Sequence, residues 1–260
     1  MTPITLTVLG CGSSSGCPVI NCECDTCQST LAQNNRTRCS AWIQTPEASI
    51  VIDTGTDFRQ QALREKIPRI DAVLYTHPHA DHLNGLDDLR AFCYRQQSAI
   101  PIYGNEHTLS NIEERFSYAF LEPIAFWDKP VLKSHRLKAN QNVAGLSVQA
   151  FDVPHGRWTV SAFRISNIAW LSDLNDISDD IIDQLQGLEH LFLDCLMDKP
   201  YPSHLSVSQA FAFAQKISAH HTHLIHMTHS LEYQALQNRC PDGISVAFDG
   251  LKVSGHCDFT

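Results

Sequence analysis

The segment His77-Pro78-His79-Ala80-Asp81-His82 puts four metal-binding side chains within six residues, straight after an apolar run that ends in Tyr75-Thr76. In an extended chain His77 and His79 fall on the same side, so two imidazoles converge on one ion. Asp81 and His82 come where the chain turns toward the next helix, and can reach a second ion beside the first. Histidines also gather in solvated loops. Four ligands at this spacing behind a strand weigh against that bland explanation. The segment makes the chain a candidate dinuclear metallohydrolase.

The rest of the chain can support such a site. Its 260 residues can bury a substantial core, and 43% apolar against 18% charged residues is ordinary for a folded protein. No stretch of eighteen apolar residues predicts a membrane span. The first ten residues alternate like a strand and lack the basic start of a signal peptide, which points to the cytoplasm. Nineteen basic against twenty-eight acidic residues give a formal charge of −9, which argues against a large nucleic-acid footprint. A small phosphate ester stays open, because bound cations reverse the local sign.

Short β-type runs alternate with helical patterns, which indicates an α/β arrangement. Strands are expected at Ile4–Leu9, Ser49–Asp53, Asp71–Thr76, Ile100–Tyr103, Leu146–Val153, Ser161–Ile165 and Ile168–Leu171. Four more are expected at Leu191–Asp194, His223–Met227, Ser245–Phe248 and Leu251–Val253. Helices are expected at Thr56–Lys66, Leu83–Gln96, Glu106–Phe120, Asp179–Leu188, Val207–Ser218 and Leu231–Asn238. No linker or low-complexity run interrupts the pattern, so one domain is expected over residues 1–260.

A dinuclear site needs further ligands, and His155, Asp173 and His226 stand at or near the ends of predicted strands. Strand ends along one sheet edge are where α/β proteins gather their chemistry. Singly each is weak, since a lone His is usually structural and a lone Asp usually a helix cap. Following the first cluster, they form a set. Two adjacent cations would make hydroxide available near neutral pH and stabilise charge developing on a phosphoryl or acyl group. Nitrogen-rich sites with carboxylates suit Zn²⁺, Mn²⁺ or Fe²⁺.

Ten cysteines without an export signal should be reduced thiols or metal ligands. Cys11, Cys39, Cys93, Cys195, Cys240 and Cys257 sit singly beside apolar residues and read as small buried hydrophobes. Cys22, Cys24 and Cys27, with Cys17 just upstream, are different. Three thiolates at this spacing want a fourth ligand and then make a closed structural Zn²⁺ site. His229 is the choice for that ligand, with Cys17 in reserve. His204, in Tyr201-Pro202-Ser203-His204, is not needed for metal and could protonate a leaving oxygen or hold a phosphate.

In order and type, His77, His79, Asp81, His82, His155, Asp173 and His226 resemble the metallo-β-lactamase superfamily. Asp53-Thr54-Gly55 also resembles its early Asp-x-Gly turn. The resemblance implies a four-layer αββα sandwich with two divalent ions at one edge. It assigns His77, His79 and His155 to one ion, and Asp81, His82 and His226 to the other, with Asp173 bridging. Within the superfamily, the cysteine motif, His204, the Arg36–Ser40 segment, the Asp87–Arg90 helix and Phe248-Asp249-Gly250 resemble the PhnP family. That family comprises phosphoribosyl cyclic phosphodiesterases of phosphonate catabolism. This implies a small cyclic ribose phosphodiester as substrate, Mn²⁺ or Zn²⁺ in the active site, and His204 and Asp81 as catalytic side chains. No membrane or large nucleic-acid partner is expected, and a homodimer is compatible.

Several alternatives share parts of this pattern. RNase Z carries the same cluster but would need a basic surface for tRNA. A secreted lactamase would need a signal peptide and often has Cys in place of His82. A thiolesterase of the glyoxalase II type leaves the cysteines unexplained. The PqqB proteins of quinone-cofactor biosynthesis share the cysteines but alter the ligand segment. A non-catalytic, zinc-stapled interaction module would lack metal-dependent turnover.

Overall fold

Side-chain alternation along the strands decides which surfaces must be covered. In the computed structural model, which describes residues 2–121 and 131–257, Ile50 and Ile52 face one apolar cluster while Val51 between them faces another. Ala72 and Leu74 divide from Val73 in the same way. Both faces of these strands are therefore buried, and a sheet buried on both faces sits inside a layered sandwich.

The chain runs β1 (Thr2–Gly10), α1 (Asp25–Gln28), β2 (Ser40–Gln44), β3 (Ser49–Ile52), α2 (Phe58–Glu65), β4 (Ala72–Leu74) and α3 (Ala80–Leu83). There follow α4 (Leu89–Gln96), β5 (Ile100–Gly104), α5 (Glu106–Arg115), β6 (Leu132–Arg136), β7 (Asn140–Val143), β8 (Leu146–His155) and β9 (Trp158–Ile165). The remainder is β10 (Ile168–Leu171), α6 (Asp179–Gln184), β11 (His190–Asp194), α7 (Val207–Ile217), β12 (His221–Ile225), α8 (Tyr233–Gln237), β13 (Ile244–Val246) and β14 (Lys252–Cys257). Two seven-stranded mixed sheets result, ordered β14-β1-β2-β3-β4-β5-β6 and β13-β12-β11-β10-β9-β8-β7.

Apolar side chains of both sheets share one cluster, in which Ile4, Leu6, Val8, Ile43 and Ile50 meet Val148, Val160, Phe163, Trp170 and Leu193. A second cluster joins Leu9, Val51, Val73 and Ile102 to Phe58, Leu89, Cys93 and Ile112 of α2, α4 and α5. Val207, Ala210, Ala214 and Ile217 form the buried stripe of α7 against the other sheet. This is the expected αββα sandwich. Among the described residues, no helix is long and apolar enough to cross a membrane.

Where expectation and structure differ, the reasons are local. The helix expected over Leu83–Gln96 is split into α3, a 3-10 turn at Leu86–Asp88, and α4. The break lies at Gly85, which packs against the Gly55 carbonyl so closely that an added Cβ would lie 2.1 Å from that oxygen. The strand expected over His223–Met227 is β12, ending at Ile225, and His226 has left-handed backbone just beyond it (φ 62°). Strands β2, β6 and β7 were not anticipated. Cys11, Cys39, Cys93 and Cys195 are buried as expected, but Cys240 is only half-buried, its thiol reaching the Leu236 carbonyl. The Cys257 side chain lies outside the described part.

Two local features fix the site-bearing loops. Ser206 and Gln209 form a capping box that starts α7, which sets where the loop holding His204 must end. After β3, the Thr54 N–H donates to the His82 carbonyl at 2.8 Å, and the Gly85 N–H donates to the Thr54 carbonyl at 2.8 Å. At Gly55 a Cβ would meet the Asp81 carbonyl oxygen at 1.9 Å. Gly55→Ala should therefore push the ligand turn away, lowering stability by about 1–3 kcal/mol as overpacking does. Denaturant melts with metal analysis should show reduced metal retention as well. Unchanged stability and loading would show that the turn does not depend on this contact.

Candidate metal centre

The first sheet delivers one half of the ligand cluster through a buried carboxylate. Asp53 stands immediately after β3 in left-handed backbone (φ 59°) and is fully buried. It accepts from the Thr76 N–H at 2.8 Å, the Thr76 hydroxyl at 2.7 Å and His82 Nδ1–H at 2.7 Å. Because Thr76 gives its proton to Asp53, its oxygen is left to accept from His77 Nδ1–H at 2.9 Å. Both imidazoles are thereby held with Nδ1 protonated and the Nε2 lone pair available to a cation. Burial pushes the Asp53 carboxyl up, against the pull of His82, and pushes His77 well below the ordinary imidazole range. His79 Nδ1 lies 2.9 Å from His77 Nε2.

The second sheet delivers the other half. His155 ends β8, its Nδ1–H donating to the Ser203 carbonyl at 2.8 Å. Asp173 lies two residues beyond β10, again left-handed (φ 59°) and buried. The nearest following helix has Ser178 at its N-cap position, so Asp173 is not a helix cap. Its carboxylate reaches 3.2 Å from both His82 Nε2 and His226 Nε2, and 3.9 Å from His77 Nε2. Burial raises the Asp173 carboxyl, but the imidazoles of His226 and His82 outweigh it and hold the group well below the usual range.

The seven expected positions fall into two groups of converging ligand atoms. One is His77, His79 and His155; the other is Asp81, His82, Asp173 and His226. His82 Nε2, His226 Nε2 and the Asp173 Oδ2 are buried yet form no hydrogen bond with the protein. Buried polar atoms at 3.2 Å without a shared hydrogen bond suit a cation between them. Zn–N bonds of about 2 Å place tetrahedral neighbours roughly 3.3 Å apart. The donor set fits a pair of divalent ions, with Asp173 facing both groups.

His204 stands at the rim of this cluster. It is 8% exposed, stacks on His226 with ring centres 4.8 Å apart and planes at 10°, and meets His155 edge-on at 4.7 Å. Its Nδ1–H donates to Asp194 Oδ1 at 3.1 Å. Asp194, the last residue of β11, also accepts from the Asp173 N–H at 3.0 Å and the Leu205 N–H at 2.9 Å, and lies 3.5 Å from His226 Nδ1. Sequence reasoning missed this organising role. Its signal was a carboxylate closing the apolar run Leu191-Phe192-Leu193, the same arrangement that produced Asp53.

The cysteine cluster is assembled separately. His229 Nδ1 lies 3.3 Å from both Cys22 and Cys24 Sγ and 3.5 Å from Cys27 Sγ. Zn–S bonds of about 2.3 Å and Zn–N bonds of about 2.0–2.1 Å put tetrahedral S and N roughly 3.5 Å apart. Cys17 is buried and stands outside this group. The Cys24 thiol is pulled down to about 6, first by the Cys27 N–H and then by His229. Arg36, fully buried, braces the turn bearing His229: its guanidinium donates to the carbonyls of Thr228 at 3.0 Å and Leu231 at 2.5 Å.

Cys24→Ala should remove one equivalent of zinc and lower the melting temperature, because thiolate zinc contributes directly to folding. Asp173→Ala should instead empty the larger site and abolish turnover at any metal concentration. Elemental analysis of both variants checks this, and full zinc in the first or full activity in the second would refute the respective assignment.

Comparisons with known proteins agree with this fold. The profile of the beta-lactamase superfamily domain matches residues 48–227. A solved diphosphatase of the PhnP family is 36% identical, with 98% of each chain covered and a TM-score of 0.92. Zinc-bound PqqB from Methylobacterium extorquens shares the fold at 20% identity, with 96% of this chain and 99% of that chain covered and a TM-score of 0.77. An octanoyltransferase of Porphyromonas gingivalis is 36% identical over 251 residues, 95% of this chain and 50% of that protein. The chain thus spans about half the length of that curated relative. The chain belongs to the metallo-β-lactamase superfamily, as a metal-dependent hydrolase fold close to the PhnP family.

Proposed function

We propose that this hydrolase is a dinuclear phosphodiesterase that opens a small cyclic ribose phosphodiester to a monoester. The observation that carries the reading is His204, an imidazole outside the two groups formed by the seven expected ligands, yet within ligand distance of His155, Asp173 and His226 and held there by Asp194. A phosphorus substrate is favoured by the likeness to a PhnP-family diphosphatase across the whole chain. The ordered donor set favours Mn²⁺ or Zn²⁺, and the role in phosphonate catabolism belongs to the same proposal.

When bound, two divalent cations supply a nucleophile at neutral pH and offset the negative charge that develops on phosphoryl oxygens. The chain's own residues do the rest. Asp53 and Thr76 fix the orientation of His82 and His77, and Ser203 fixes that of His155. Asp194 holds His204 through Nδ1, which directs its other nitrogen away from the carboxylate. Burial lowers the basicity of His204, but Asp194 overrides it and holds the imidazole above its ordinary range. A larger protonated fraction at neutral pH suits a group that gives its proton to a departing ribose oxygen. Asp81, held far below the usual carboxylate range despite its burial by His82 and His226, stays an anionic ligand.

A second reading, hydrolysis of a diphosphate linkage, is favoured by the diphosphatase relative. The PqqB-like alternative is supported by fold alone, and the intact His77–His82 cluster weighs for a hydrolase. This chain matches only about half of the octanoyltransferase, and an acyl substrate is not the reading we put first.

His204→Ala separates the phosphoryl readings. An alkoxide needs a proton to leave, so cyclic ribose phosphate opening should slow by about 10²–10⁴-fold. Cleavage of bis(p-nitrophenyl) phosphate, whose leaving group is already stable, should change little. Equal losses on both substrates would assign His204 to phosphate binding. Turnover of a dinucleoside diphosphate with none of the cyclic ester would replace the first reading by the second, and no metal-dependent turnover of any ester would leave a zinc-stapled interaction module.

A further inference from the structure

A cleft beside the metal ligands is not used by any step above. It lies between the His77–His79 segment and the Trp158–Thr159 start of β9, and is closed by His107 and Asn111 of α5, with a volume of about 160 Å³. Trp158 pairs with His155 across the β8–β9 hairpin, yet it is 41% exposed. Its indole stacks on His107 with ring centres 5.1 Å apart and planes at 24°, and the Arg157 guanidinium lies 5.2 Å from the indole centre.

A part-exposed indole beside the ligand cluster offers a flat apolar surface to a ligand. The cleft's wall is shared with His77 and His79, so a ligand held at the metals can extend into it. Charge points the same way. On a chain of net charge −9, Arg157 lies over the indole, and Arg115 donates at 2.7 Å to the carbonyl of Pro78, which lines the cleft. An apolar cavity of about 150 Å³ takes a benzene-sized ring, so the volume here suits a single planar ring system. Asn111 and Thr159 add polar groups of the kind that read the edge of a base.

We propose that this cleft is a subsite for a planar nucleobase carried by the substrate, with Trp158 as its specificity-determining side chain. The proposal builds on the phosphohydrolase reading, which supplies the phosphate end of the ligand. Base–aromatic stacking tolerates different bases, because each presents a π-face. The subsite therefore selects for a nucleotide over a bare sugar phosphate, without choosing sharply among bases.

The test is equilibrium binding of AMP and of ribose 5-phosphate to the metal-loaded protein, by calorimetry, for wild type, Trp158→Ala and Trp158→Phe. The wild type should bind AMP about tenfold more tightly than ribose 5-phosphate, or better. Trp158→Ala should lose most of that margin, and Trp158→Phe should keep most of it. Thermal melts of both variants establish that they fold. Equal affinities in the wild type, or an equal weakening of both ligands in Trp158→Ala, would overturn the subsite and leave Trp158 as a hairpin support. Because the readout is binding, an AMP margin without turnover of any phosphoester would sink the phosphodiesterase reading alone. Turnover of cyclic ribose phosphate with no margin would sink the subsite alone.

Discussion

The site depends on one buried carboxylate. Asp53 has no exposure, and its oxygens accept three hydrogen bonds, from the Thr76 backbone, the Thr76 hydroxyl and His82. A buried carboxylate is tolerable only when its acceptor capacity is filled, so these bonds both satisfy Asp53 and choose the tautomer of two ligand imidazoles. Asp194 does the equivalent work on the opposite sheet, serving His204, the Asp173 backbone and the approach to His226. Each sheet thus brings its own anionic residue at a strand end, and each such residue orders the ligands around it.

Much of this was legible in the chain because ligands at strand ends leave a local mark. His77 to His82 follow an apolar run, and His155, Asp173 and His226 stand at or just past β8, β10 and β12. The strands that escaped notice carry weaker patterns. β6 reads Leu-Lys-Ser-His-Arg and β7 reads Asn-Gln-Asn-Val, and both lie at sheet edges where one side meets water. An edge strand is paired by its backbone, so its side chains need not be apolar. β2 is buried, but its Ser-Ala start and closing Gln leave only Trp and Ile to carry the β signal. Asp194 escaped for another reason: its mark, a carboxylate closing an apolar run, is shared with carboxylates that merely cap a turn.

The backbone at these positions has its own logic. Asp53, Asp173 and His226 all adopt left-handed conformations, with φ between 59° and 62°. For residues other than glycine that conformation costs energy and persists where the surroundings enforce it. Here it turns the chain sharply as each strand ends, so the side chain is aimed by the strand rather than by a loop. Gly55 and Gly85 contribute differently, by lacking a Cβ where two backbones nearly touch.

Both ligand clusters straddle the seam between the sheets. His77, His79, Asp81 and His82 come from the first sheet, while His155, Asp173 and His226 come from the second. Cys22, Cys24 and Cys27 follow β1, and His229 follows β12. Cations bound at these places would act as rivets through two plates that otherwise adhere by apolar contact and a few hydrogen bonds, such as that from the Ser161 N–H to the Thr76 carbonyl. Free energy of ion binding then resists sliding of one sheet over the other, through the linkage that favours the folded state. Occupancy becomes a mechanical property as well as a chemical one, and the edge that performs the chemistry is the edge that is clamped.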